Sequence, residues 1–270
     1  MPTLKKSGDK SARPWKPVAN QARRKTTQLR QRLDRRTNEL RAARAEMDSF
    51  ANTLARDLRA PLVHIGGFVD LLFNHLAPQL DERGRHYLDT ITTSTYRLGR
   101  MIDDILDYSR LSRAELNTVP LDLHALVQGA IDSLRALTEK RRVVWSIGEL
   151  PTVTADPTLL RQAIIHLATN ALKFTAPREE ARIYINARPG DGETIFSFRD
   201  NGVGFDMKYR DKLFGLFQRL HSGTEFSGNG VGLAHVARIV MLHGGRTWAE
   251  GVPGEGATVY FSLPDGLRSP

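Results

Sequence analysis

The chain has 270 residues, no cysteine, and 39 Lys and Arg against 30 Asp and Glu. That length suits about two domains, and without cysteine there can be no disulfide or thiolate metal site. No run reaches the roughly 18–20 apolar residues of a membrane span, and no apolar segment marks a secretory leader, so the sequence predicts a cytoplasmic protein. The charge is uneven: residues 1–45 hold 14 Lys and Arg against 3 Asp and Glu, leaving 25 against 27 for the remainder. A basic head of this kind can bind nucleic acid or an anionic surface, or it can be a solvated tail. Both readings stay open.

In chain order, residues 1–26 carry Pro2, Pro14 and Pro17 and no apolar period, and are read as a basic, flexible head. From about Thr27 a helical seam begins. Leu29, Leu33, Leu40, Met47, Phe50, Leu54, Leu58, Ile65 and Leu72 recur at steps of three, four or seven, the spacing of a coiled coil running into a longer helix. Pro61 is expected to kink that helix, and Ala77-Pro78 to close it. A second amphipathic helix follows from about Asp81 through Leu88, Ile91, Thr95, Leu98, Ile102 and Ile105. The two make a hairpin over 49–116 with more apolar stripe than one pair can cover. Two hairpins packed as a four-helix bundle would cover it, which predicts a homodimer.

Beyond about Val119 strands and helices alternate. Residues 121–137 read as a helix, 142–148 as a strand and 157–175 as a long helix. Residues 181–189 and 193–201 read as strands parted by Pro-Gly-Asp-Gly turn signals. A glycine-initiated helix stops at Gly244-Gly245, and two strands finish the chain. The fold class expected is α+β, with helices covering one face of a sheet.

Four stretches arrive in order: HLATNALKF (166–174), DNGVGF (200–205), LFGLFQRL (213–220) and GNGVGL (228–233). Asn170 offers a neutral amide oxygen suited to Mg²⁺ that keeps most of its waters. His166 lies one turn earlier on the same helix face, and Lys173 is a point charge for phosphates. Asp200 ends a strand, where a carboxylate can accept a hydrogen bond from an adenine amino group, while Gly202 and Gly204 let backbone pass close to the base. Gly228, Gly230 and Gly232 expose N–H groups ahead of a helix whose positive end favours phosphate. Phe214 and Phe217 pack either a lid root or plain core.

With these stretches in order, the chain from about residue 45 to 265 resembles sensor histidine kinases, especially their phytochrome-like branch. The four stretches match that family's N, G1, F and G2 boxes, and SFANTLARDLRAPL (49–62) matches its H-box except at one position. The resemblance implies a dimerisation and phosphoacceptor hairpin followed, over 117–270, by a Bergerat-type α/β sandwich of the GHKL class that binds ATP and Mg²⁺. It implies that residues 27–48 form a signalling helix, and that Thr258, in the GEGATVYF stretch, reaches the adenine through water. It also implies a response regulator or a partner kinase. No sensor domain is visible ahead of the signalling helix.

The exception is the acceptor. In the family motif His precedes the acid, here Asp57, which orients the imidazole and helps remove its proton. This chain has Arg56 there. A guanidinium stays protonated and offers no lone pair. His64, His75 and His86 fall elsewhere on the hairpin, and Ala60 stands where many relatives carry a Thr or Asn that positions water. Three readings remain: a kinase-like protein that binds Mg-ATP without phosphorylating itself at the usual site, a kinase with a changed acceptor, and a pseudokinase scaffold or nucleic-acid-binding regulator that uses the basic head.

Overall fold

The computed structural model describes residues 15–76, 79–111, 114–139, 141–220, 226 and 228–266. The chain divides into two units, Met1–Leu54 and Ala55–Pro270. The first unit is helical from Trp15 onward, as the opening of helix α1 (Trp15–Leu76). Twelve residues read as flexible head are therefore helix. Pro17 falls in the first turn, where a missing N–H leaves no helix bond unmade. Residues 1–14 of the expected head lie outside the described residues. Arg35 pairs with Glu39 one turn on, at 3.0 Å and largely exposed, which is a weak contribution.

In the second unit, α1 continues through Pro61 to Leu76 and the chain returns as α2 (Glu82–Leu111). Thus Pro61 does not end the helix. Ala55 and Leu62 of α1 pack on Ile102 and Leu106 of α2, one turn or two apart on each helix as ridge packing requires. The Arg59 guanidinium pairs with Asp103 across the hairpin. Leu58, Ile65 and Leu72, seven residues apart, stay 42–46% exposed, as do Ile91 and Leu98 on α2.

The stretch read as one helix over 121–137 is three elements: strand β1 (Val119–Asp122), α3 (Leu123–Asp132) and the short α4 (Arg135–Thr138). Asp122 caps α3 by accepting from the Ala125 N–H, which places a boundary inside the apolar run. β2 spans Arg142–Ile147, while β3 (Thr152–Ala155) pairs antiparallel with β1. Four residues are too few to display a strand period.

Helix α5 (Pro157–Phe174) starts at a strong signal: Asp156 accepts from the N–H groups of Thr158 and Leu159, and Pro157 occupies the first helical position. Strands β4 (Glu180–Pro189) and β5 (Glu193–Asp200) follow, then a 3-10 turn (Met207–Lys212), α6 (Gly232–Leu242), β6 (Thr247–Val252) and β7 (Gly256–Pro264). The main sheet has the order β2-β4-β5-β7-β6, parallel only at β2–β4. Its inner face carries Ile183, Ile185, Phe196, Phe198, Phe261 and Leu263, all buried against α3, α5 and α6. Phe196 and Phe261 stack at 4.8 Å. This is the helix-covered α+β sheet expected from the alternating pattern.

Two polar anchors fix α5 within that core. The buried Asp156 N–H donates to His243 Nε2 at 2.9 Å, and His243 Nδ1 meets the Ile239 carbonyl at 2.8 Å. His243 is thus a satisfied core histidine, protonated on Nδ1. At the other end Arg141 donates to the carbonyls of Leu172 and Thr175 at 2.8 and 2.9 Å, closing the last turn. Among the described residues no helix is long and apolar enough to cross a membrane.

Candidate functional site

A cavity of about 390 Å³ opens between α5, α6, the turn after β5 and the segment after the 3-10 turn. Asn170, His166 and Lys173 line it from α5, Asp200 and Gly204 from the β5 turn, and Gly228, Gly230 and Gly232 from the loop into α6. Residues spread over almost seventy positions therefore meet at one place. The second shared fact is local: a Cβ on Gly232 would stand 3.4 Å from His166 Nδ1 and 3.7 Å from Asn170 Nδ2. The glycine loop passes directly over the Asn170 helix.

Two of the glycines are required by geometry. Gly204 has φ +63° and a Cβ there would lie 1.9 Å from the Val252 carbonyl oxygen. Its role is close packing on the β6–β7 turn, not approach to a base alone. Gly230 has φ +72° and would strike the Gln218 carbonyl at 2.6 Å. Both sit where an L side chain is strained and has no room. Val231, the cap residue just ahead of α6, makes no side-chain capping bond. The first N–H groups of α6 remain available at the positive end of the dipole.

Electrostatics sort the polar residues. Asp200 is 7% exposed and burial pushes its carboxyl up to about 6, against the opposing N–H bonds of Gly202 and Ala257. The Gly202 N–H donates to Asp200 Oδ1 at 2.8 Å, so Gly202 lies behind the carboxylate and supports it. Burial, then the nearby Arg219 charge, lowers Lys173. Lys173 Nζ also stands over the Phe174 ring at 4.3 Å. Arg219 lines the same cavity and donates to the Phe226 carbonyl at 2.5 Å. His166 falls to about 4, by burial and then by the His235 charge, so its ring is neutral near pH 7. The two imidazoles stack at 5.2 Å, 6° from parallel.

Two expected nucleotide-site residues, Gly202 and Thr258, lie outside the cavity lining. The neighbours of Thr258, Ala257 and Val259, do line it. The period-2 alternation of β7 sends adjacent side chains to opposite faces, and Thr258 pairs with Arg199 and Glu250 in the sheet. Arg56 and Asp57 are exposed on α1 and do not line the cavity. Phe217 is 37% exposed with φ +60°, hence no core residue; Phe214 is half-buried.

The structure also adds residues that the motifs did not mark. Arg100, Asp103 and Asp104 of α2 line the cavity, and Asp104 accepts from Asn229 of the glycine loop. His235, 5% exposed, stacks on His166 and meets the Tyr108 ring of α2 at 5.8 Å. Arg219 had a signal, since it lies in the LFGLFQRL stretch, two residues after Phe217. The α2 residues had none, because their proximity comes from the tertiary fold.

This arrangement can hold a polyphosphate against backbone N–H groups and cations, with a buried carboxylate in the same cavity for an amino-bearing base. Residues 155–267 match the family described as histidine kinase-, DNA gyrase B-, and HSP90-like ATPase, and residues 46–114 match the His Kinase A (phospho-acceptor) domain. The chain belongs to the histidine kinases, as a phosphoacceptor-type hairpin followed by the ATP-binding domain of that family. It is 34% identical over 231 residues to cyanobacterial phytochrome A of Nostoc sp., covering 86% of this chain and 30% of that protein. It is 34% identical over 233 residues to the methanogenesis regulatory histidine kinase FilI of Methanothrix harundinacea, covering 86% and 26%. Among solved structures, full-length ShkA in complex with AMPPNP superposes with TM-score 0.57 at 30% identity, covering 82% of this chain and 46% of that one. The chain spans under a third of the length of these two curated relatives.

Proposed function

We propose that this chain is a histidine-kinase-like signal transduction protein that binds Mg-ATP in the α5–α6 cavity but does not phosphorylate itself at the usual position, because Arg56 stands in place of the acceptor. The observation that carries the reading is convergence: Asn170, Lys173, Asp200 and the 228–232 glycines line one cavity. The Asp200 carboxylate accepts from the adenine amino group, and the uncapped start of α6 receives the phosphates. Lys173 and Arg219 offset their charge. Neutral His166 keeps a lone pair for a water.

The donor set suits Mg²⁺. Among the described residues no group of three or more His, Cys, Asp and Glu could hold a metal ion. Asn170 would then hold a cation whose other ligands are phosphate oxygens and water, as Mg²⁺ accepts. When bound, Mg²⁺ neutralises developing charge on the phosphates.

A second copy covers the Leu58–Ile65–Leu72 and Ile91–Leu98 rows, forming a dimeric four-helix bundle. The partners proposed are a response regulator or a kinase that supplies its own acceptor. An ATP-responsive scaffold is the alternative. Calorimetry with Mg-ATP and incubation with γ-labelled ATP test the reading together. Binding without stable label on the chain supports it; label on the chain overturns the acceptor claim, and absence of binding overturns the nucleotide claim.

A further inference from the structure

One guanidinium outside the cavity lining ties together the two turns that build the base end of the site. Arg178 lies in the connection from α5 to β4. Its Nε donates to the Asn201 carbonyl at 2.8 Å, and its Nη2 to the Gly202 carbonyl at 2.9 Å. The same Nη2 also reaches the carbonyl of Gly254, in the β6–β7 turn. A planar fork suits several acceptors at once, which a flexible ammonium does not. The Gly254 N–H returns to the Val203 carbonyl at 2.7 Å, and the Val203 N–H bonds Phe174 at the end of α5 at 3.2 Å. The 200–204 turn is therefore held between the α5 terminus and the β6–β7 turn, with Arg178 at the junction.

What this holds in place is the donor to Asp200. The Gly202 carbonyl accepts from Arg178 while the Gly202 N–H donates to Asp200 Oδ1 at 2.8 Å. The groups bonded to that carboxylate are backbone N–H groups, those of Gly202 and Ala257. The charged side chains sharing its cavity are Lys173, Arg219, Arg100, Asp103 and Asp104, with the imidazoles of His166 and His235.

We infer that Arg178 is a positioning residue for adenine recognition: it orients the Asn201–Gly202 backbone so that Asp200 is presented, ionised, to the base. This rests on the Mg-ATP reading above. Arg178 touches no nucleotide; it acts through Gly202. Without it the turn loosens, the Gly202 bond weakens, and burial holds the carboxyl protonated to higher pH.

Titration calorimetry of the full chain tests it with three probes in magnesium: ATP, ADP and inorganic tripolyphosphate. Arg178→Gln is expected to weaken ATP and ADP about tenfold, leave tripolyphosphate unchanged, and shift the acid limb of ATP affinity to higher pH. Arg178→Lys, which keeps the charge without the fork, is expected to do the same and stands in if the Gln variant does not fold. ATP affinity within twofold of wild type, or equal losses for ATP and tripolyphosphate with an unmoved acid limb, overturns the inference alone. A wild-type chain that binds tripolyphosphate but neither ATP nor ADP overturns the adenine reading and the inference with it.

Discussion

Asn229 Nδ2 donates to Asp104 Oδ2 at 2.9 Å, joining the glycine loop to the second helix of the hairpin across 125 positions. The carboxylate lies on the wall of the cavity that the phosphates would enter. A negative charge there opposes a polyphosphate. Asp104→Asn removes the charge and keeps the hydrogen-bonding shape. Mg-ATP affinity is expected to rise roughly threefold at low salt, with the gain shrinking as salt is added. Calorimetry at two ionic strengths measures it, and an affinity that falls would refute the repulsion.

Asp200 couples recognition to stability. Its folded-state pKa, about 6, lies above the ordinary 3.8, so the native state favours the protonated form. Its contribution to stability declines as pH rises from about 4 to 6, and the cost is complete above that. Asp200→Asn is therefore expected to raise apo stability at pH 7, by on the order of 1–3 kcal/mol. The same change is expected to cost at least tenfold in ATP affinity by removing the proposed carboxylate acceptor. Urea unfolding with and without Mg-ATP reads both effects; a destabilised apo variant would contradict the sign.

Gly204→Ala places a methyl 1.9 Å from the Val252 carbonyl at a φ of +63°. Strain at a left-handed position alone is about 1–2 kcal/mol, and displacement of the β6–β7 turn adds to it. Thermal unfolding is expected to shift down by several degrees or more, with a loss of nucleotide affinity. Gly254→Ala serves as a comparison, since it has positive φ but nothing within 4 Å of its Cβ, and it should cost less.

Arg56→His tests the proposed loss of the acceptor. Arg56 is exposed, so the exchange should leave thermal stability within about 0.5 kcal/mol. The variant is expected to gain acid-labile label from γ-labelled ATP, while Arg56→Gln stays unlabelled. If the His variant binds ATP yet takes no label, the loss extends beyond position 56.

The hairpin was legible because its apolar steps of three and four persist over many turns, and most of the cavity lining because its residues cluster in short runs. The strand ends were not. β1 and β3 are four residues each, and an Asp122 cap inside an apolar run looks like helix until the pairing with Thr152 is formed. Thr258 was expected from the family resemblance to reach the adenine through water; the alternation of β7 puts Ala257 and Val259, not Thr258, in the cavity lining.

The sequence by itself determined which chemistry is present: an amide, a strand-end carboxylate, cations and glycines in order, and an Arg before Asp57. Only the tertiary structure decided which of these meet. Arg178 reaches Gly254 across 76 positions, and Asp104 reaches Asn229 across 125. The physical reason is that hydrophobic periodicity reports burial of a face, whereas a single polar contact between distant segments leaves no period to read.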